Sequence, residues 1–122
     1  KVPKESRLLV LGLSYKPNVG DIRTSEVEAV ITELEQYDVD VVGYDPHADD
    51  ERMEEHFGIP TQDSLSFADF DGVVLATPHD EFTDLELDTV ADALDPDPIL
   101  IDVMGTFEET DATDAGLYYE RL

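Results

Sequence analysis

The chain has 122 residues, the size of one domain with one core, and 41% of them are hydrophobic, an ordinary share for a folded protein. Acidic residues outnumber basic ones 31 to 7, a formal net charge of −24, so no basic patch stands ready to neutralise phosphates and nucleic-acid binding is disfavoured. The absence of cysteine excludes disulfides, thiolate metal sites and a cysteine nucleophile within this stretch.

No apolar run approaches the roughly 20 residues that cross a bilayer, and no signal-peptide pattern opens the chain, so no membrane partner is expected. The acids are spread along the chain rather than gathered in a tail. Such a surface can bind cations or basic partners, or mimic nucleic acid. An even spread over an intact apolar pattern favours adaptation to a salty cytosol, where repulsion is screened over a few ångströms.

Residues 1–6, KVPKES, read as a linker from upstream domains, which leaves 7–122 as the domain. Arg7 to Leu13, RLLVLGL, is an almost unbroken apolar run and predicts a strand buried on both faces. Residues 14–24 form a loop with Pro17, Asn18 and Gly20 as turn formers. Ser25 and Glu28 have capping-box spacing, and Val27, Val30, Ile31 and Leu34 share one face of the helix that follows. VDVVGYD, 39–45, is the next strand. Asp49 or Asp50 then caps a short helix carrying Met53 and Phe57 and stopped by Gly58. SLSFADF, 64–70, predicts another short helix with Ser64 as its cap. GVVLAT, 72–77, is a buried strand. Leu87, Val90, Ala91 and Leu94 repeat at helical spacing, with Pro96 and Pro98 ending that helix. ILIDVM, 99–104, is a further strand, and LYYERL, 117–122, a last edge strand.

Strands alternating with helices predict an α/β fold: a Rossmann-like, doubly wound parallel sheet of about five to six strands in a single domain. Ligands of such sheets bind at the carboxyl ends of the strands, near the point where strand order reverses. The loop after the first strand is the expected mouth. Two of the seven basic residues, Lys16 and Arg23, fall in it, while between residues 24 and 120 only Arg52 is basic. A phosphate or carboxylate ligand needs such compensation, and a helix start just downstream adds its dipole. The plainer alternative pairs Arg23 with Asp21 or a nearby Glu and leaves Lys16 solvated; the position of the pair favours ligand contact.

LGLSYKP lacks the G-x-G-x-x-G spacing of a dinucleotide loop, so NAD binding by this loop alone is not expected. In YDPH, 44–47, Asp45 has the position of an acid that binds ribose hydroxyls, but Asp-Pro is equally an ordinary turn, the favoured reading. His79 in ATPHDEF is a polar contact or, preferably, a structural histidine capping the next helix. His47, His56 and His79 have no ligand-like spacing, so no metal site is expected.

LGLSYKPNVGDIRTS resembles the C-terminal, UDP-binding domain of the UDP-glucose/GDP-mannose dehydrogenase family, and VVGYDPH, VVLATPHDEF and ILIDVMG continue the likeness in order. The resemblance implies a three-part enzyme: an N-terminal domain holding NAD, a helical middle domain with a cysteine nucleophile, and this domain closing over a UDP-sugar. Such enzymes oxidise a sugar 6-hydroxyl to a carboxylate in two NAD-dependent steps, through a cysteine-bound thiohemiacetal and thioester. It maps Tyr15 and Lys16 to UDP-sugar contact and Arg23 to the cofactor side, with Asp21 orienting that arginine or the loop. No catalytic residue falls in this chain, which alone is expected to be inactive. Its partners are then its own N-terminal and middle domains, in a cytoplasmic enzyme that is a homodimer at full length. YDPH and TPHDEF are most similar to the UDP-N-acetyl-D-mannosamine dehydrogenase type, and the acidic composition is similar to that of halophilic archaeal proteins. Three positions depart from the family pattern: Met104 where an arginine is common, Gly20 where aspartate is, and Glu26 where proline often starts the helix.

A different class of function, a stand-alone module that senses a nucleotide through Lys16 and Arg23, predicts a complete gene of about this length. The charge makes its own prediction. Self-repulsion destabilises the fold at low salt, so the melting temperature is expected to rise between low and molar KCl. An unchanged melting temperature contradicts the salt-adapted reading.

Overall fold

Short runs of Leu, Val and Ile without polar alternation pair side by side and bury both faces, which is how this chain builds its sheet. The computed structural model describes residues 6–14, 27–37 and 39–121. Five strands, β1 (Arg7–Leu11), β2 (Asp40–Tyr44), β3 (Gly72–Leu75), β4 (Ile99–Asp102) and β5 (Tyr118–Arg121), form one sheet in the order β2-β1-β3-β4-β5. Every neighbouring pair is parallel, with Leu9 level with Val42 and Val73, and Asp102 level with Arg121. The order reverses between β1 and β3, so the expected doubly wound architecture is present, with five strands among the described residues.

Alternation along the strands sorts side chains into two cores. Leu8, Val10, Val41, Val74 and Ile101 face one side, where α1 (Val27–Glu35) brings Ile31 and Leu34 and α2 (Asp50–Phe57) brings Met53 and Phe57. Leu9, Leu11, Val73, Leu75 and Leu100 face the other. There they meet Phe82 of α3 (Asp80–Thr83), Val90 of α4 (Leu87–Ala93) and Ala112 of α5 (Glu109–Asp114). Each large side chain so buried contributes about 1.5–3 kcal/mol. α2 is delimited as its sequence predicts: the Asp49 side chain accepts the Arg52 amide, and Gly58 closes the helix in the left-handed region. The Ser25 cap of α1 lies outside the described residues.

The helix expected over 64–70 does not form. After α2 the chain runs along the edge of β2, where the Gly43 amide donates to the Pro60 carbonyl and Gln62 to that of Gly43. It then crosses to the opposite face as an irregular segment that packs Leu65, Phe67 and Phe70 into the second core. Local side chains replace helical hydrogen bonds. The Gln62 amide group engages both the carbonyl and the N–H of Ser66, and the Ser66 hydroxyl accepts from Ala68. Two short helices, α3 and α5, arise where the sequence shows no long periodic run.

The strands end before the apolar runs do. β1 was expected to reach residue 13, β3 residue 77 and β4 residue 104, yet they stop at Leu11, Leu75 and Asp102. The residues left over gather at the carboxyl edge of the sheet.

Candidate functional site

The end of β1 approaches that of β3 more closely than side chains would permit. Gly12 has φ +88°, and a Cβ there would lie 2.5 Å from the Cβ of Thr77. This glycine serves the contact between two strand ends, consistent with the absence of a dinucleotide fingerprint. Thr77 then donates its hydroxyl to the Ser14 carbonyl at 2.6 Å.

Beside this contact lies Asp45, one residue past β2, with no side-chain exposure. Its Oδ2 accepts from the amides of Leu13 (2.8 Å) and Ser14 (3.0 Å) and from the Ser14 hydroxyl (2.7 Å), and lies 3.0 Å from Nε2 of His79. Its Oδ1 accepts from the His47 amide at 2.8 Å. Burial pushes the carboxyl upward, but the hydrogen bonds from His79, Ser14 and the His47 and Leu13 amides outweigh it and hold the group down at about 2. The carboxylate is therefore ionised and accepts only, so the fully buried His79 presents Nε2–H to it. His79 is structural, as expected. It stands at the start of α3, but its ring clasps Asp45 rather than capping the helix. Asp45 is more than a turn residue, and with both oxygens engaged and buried it is not available to ribose hydroxyls.

His47 lies over this pair, its ring centroid 4.5 Å from that of His79, and its Nε2 meets Glu81 at 3.0 Å. The Glu81 carboxyl is held below its ordinary range by its own backbone amide and by His47.

A second buried carboxylate repeats the device at the end of β4. Asp102 accepts from the amides of Thr106 (2.9 Å) and Phe107 (2.7 Å) and from the Tyr119 hydroxyl (2.9 Å). Burial, then the bond to Asp102, pushes the Tyr119 hydroxyl up to about 12. The loop so held includes Met104, which is largely exposed. Neither Asp102 nor Tyr119 stands out in the sequence; the only signal is an acid closing the apolar run ILID.

Tyr15, Lys16 and Arg23, the residues expected to meet ligand, lie outside the described residues. What is described is their anchor, Ser14, held by Asp45 and Thr77 between the ends of β2 and β3. The arrangement ties the ends of β1, β2 and β3 together at the carboxyl edge. It has no nucleophile among the described residues, and its carboxylates are spent on structure.

Residues 9–109 match the model of the UDP-glucose/GDP-mannose dehydrogenase family, UDP binding domain. A UDP-glucose 6-dehydrogenase of Haloferax volcanii is 40% identical over 82 residues, 66% of this chain and 19% of that protein. A UDP-N-acetyl-D-glucosamine 6-dehydrogenase of Pseudomonas aeruginosa is 29% identical over 104 residues, 85% of this chain and 25% of that protein. Among solved structures, the UDP-D-ManNAc dehydrogenase of Pyrococcus horikoshii superposes with a TM-score of 0.76 at 25% identity, over 98% of this chain and 26% of that one. The chain thus spans about a fifth to a quarter of the length of the curated relatives it matches.

Replacing Asp45 by Asn turns an amide NH2 toward donors on one side or the other, and is expected to cost about 3 kcal/mol in urea unfolding. The pH dependence has a fixed sign. The folded-state pKa lies below the ordinary 3.8, so the unfolded chain takes up the proton first. Asp45 contributes about 2 kcal/mol that is complete above roughly pH 5 and is lost as pH falls from about 4 through about 2. Asp45→Asn should therefore flatten the acid limb of stability in that window; an unaltered limb contradicts the clasp.

Proposed function

We propose that this chain, which belongs to the UDP-glucose/GDP-mannose dehydrogenase family as its UDP-binding domain, supplies the substrate-binding half of an NAD-dependent UDP-sugar 6-dehydrogenase. The observation that carries the reading is the family match over residues 9–109, which includes the mouth of the carboxyl edge. Support comes from the way Asp45 fixes Ser14, the residue from which the loop carrying Tyr15, Lys16 and Arg23 departs.

In this reading Lys16 compensates the charge of the diphosphate, Tyr15 lies against the nucleotide sugar, and Arg23 serves the cofactor side at the boundary with another domain. Bound NAD would supply the hydride acceptor for both oxidation steps. The described residues do not fit a complete NAD site, because Asp45 is committed to Leu13, Ser14, His47 and His79. NAD is therefore assigned mainly to an upstream domain, and so is the cysteine nucleophile, since this chain has none. The domain 7–122 acts as a cover that excludes water and positions the substrate. The relatives above carry three different sugars, so the proposal rests on the UDP moiety, with the N-acetylmannosamine type as its preferred sugar. The complete enzyme is read as a cytoplasmic homodimer in a salty cytosol. No helix among the described residues is long and apolar enough to cross a membrane.

Steady-state kinetics of the complete enzyme test the loop. Lys16→Ala is expected to raise the KM for UDP-sugar, and Arg23→Ala to act chiefly on NAD affinity or turnover, each losing about 1.5–3 kcal/mol as one charge-assisted contact. Wild-type kinetics in both variants would remove the loop from the site.

A further inference from the structure

Positive charge is scarce in this chain, and the three arginines among the described residues differ in what holds them. Arg7, at the amino edge of the sheet, is structural: its guanidinium donates to the Asp69 carbonyl and lies 4.6 Å from the centre of the Phe70 ring, and its amide donates to Asp71. Arg52 lies on the exposed side of α2. Arg121 ends β5 at the carboxyl edge, and its side chain makes no ion pair or hydrogen bond with another described residue. In a protein of net charge −24, an arginine that meets no carboxylate among the described residues, at the edge where such sheets bind ligands, calls for a physical account.

Its support is specific. Gly105 has φ +67°, and the place of its absent Cβ is taken by the Arg121 guanidinium, with Nε, Cζ and Nη2 nearly equidistant from that point. The glycine therefore leaves room for the guanidinium against its backbone, while the arginine as a whole stays exposed. The floor is rigid, because Asp102 holds the amides of Thr106 and Phe107 while the Tyr119 hydroxyl lies 2.9 Å from Asp102 and 3.1 Å from the Phe107 carbonyl. Glu120, the adjacent acid, engages the Tyr118 hydroxyl instead. A planar fork of donors on an exposed arginine, seated against a backbone, suits two oxygens of a diphosphate. It stands three strand spacings, about 14 Å, from the end of β1, a span that an extended nucleotide sugar bridges.

We propose that Arg121, seated on Gly105, is a ligand-binding residue that grips the diphosphate of the bound nucleotide. The inference rests on the nucleotide-sugar reading above and adds a residue remote from the Tyr15–Arg23 loop. The diphosphate belongs either to the UDP-sugar or to NAD.

Calorimetric titration of the complete gene product, at one fixed KCl concentration, tests it with UDP, uridine and NAD as probes. Arg121→Gln is expected to weaken UDP or NAD at least roughly 10-fold, as loss of a charge-assisted contact requires, while uridine affinity stays within about 2-fold. The diphosphate that loses affinity identifies the source. Arg121→Lys, which keeps the charge but not the fork, is expected to fall between and serves in place of Arg121→Gln if that variant fails to fold. Unchanged binding of both diphosphates, or uridine falling in step with UDP, overturns the role of Arg121 while leaving the nucleotide-sugar reading intact. A wild-type protein that binds neither uridine nor UDP overturns both.

Discussion

The buried carboxylate of Asp45 joins the ends of three strands, and the geometry of the carboxyl edge depends on it. Its oxygens take the two amides and the hydroxyl that lead out of β1, the amide of the turn after β2, and the ring of His79 beyond β3. A charge without solvent is tolerable only when its lone pairs are filled, and here the donors outweigh the cost of burial, as the depressed pKa records. The Thr77 hydroxyl and the Gly12 contact close the same junction from the other side. The loop that follows Ser14 thus leaves from a point fixed by several polar contacts and not by apolar packing.

Asp102 does for β4 and β5 what Asp45 does for β1, β2 and β3. In both cases an acid at a strand terminus consumes the backbone N–H groups of the next loop. Those amides then do not serve as anion donors, as they do in a glycine-rich phosphate loop. Charge compensation for a ligand would then fall to side chains, the role proposed above for Lys16, Arg23 and Arg121. The amino edge differs: there a half-buried cation, Arg7, is committed to Asp69 and Phe70.

Much of the scaffold is legible because β1 to β4 are apolar runs closed by Gly, Pro or Asp, and because α1, α2 and α4 repeat apolar residues at helical spacing. The elements that escape are those with too few residues to show a period. α3 buries one large side chain, Phe82, and α5 one small one, Ala112. The segment 64–70 misleads because Ser64 offers a helix start before a short apolar-rich run, while Gln62 and Ser66 offer the backbone other partners. The site is legible in the same uneven way. Asp45 and His79 are conspicuous as polar residues at strand ends, but 34 positions separate them, and only the sheet order brings the pair together. Gly105 and Arg121 are unremarkable until β5 is laid beside β4.

The central claim, that the carboxyl edge is the UDP-sugar platform of a larger dehydrogenase, is tested most directly by amide hydrogen exchange of the complete protein with and without UDP. The account predicts slower exchange in segments 12–24, 45–49, 77–82 and 103–107, and none at the amino edge around 69–72 and 96–99. Protection confined to the amino edge or the helices, or no protection at saturating UDP, would contradict it.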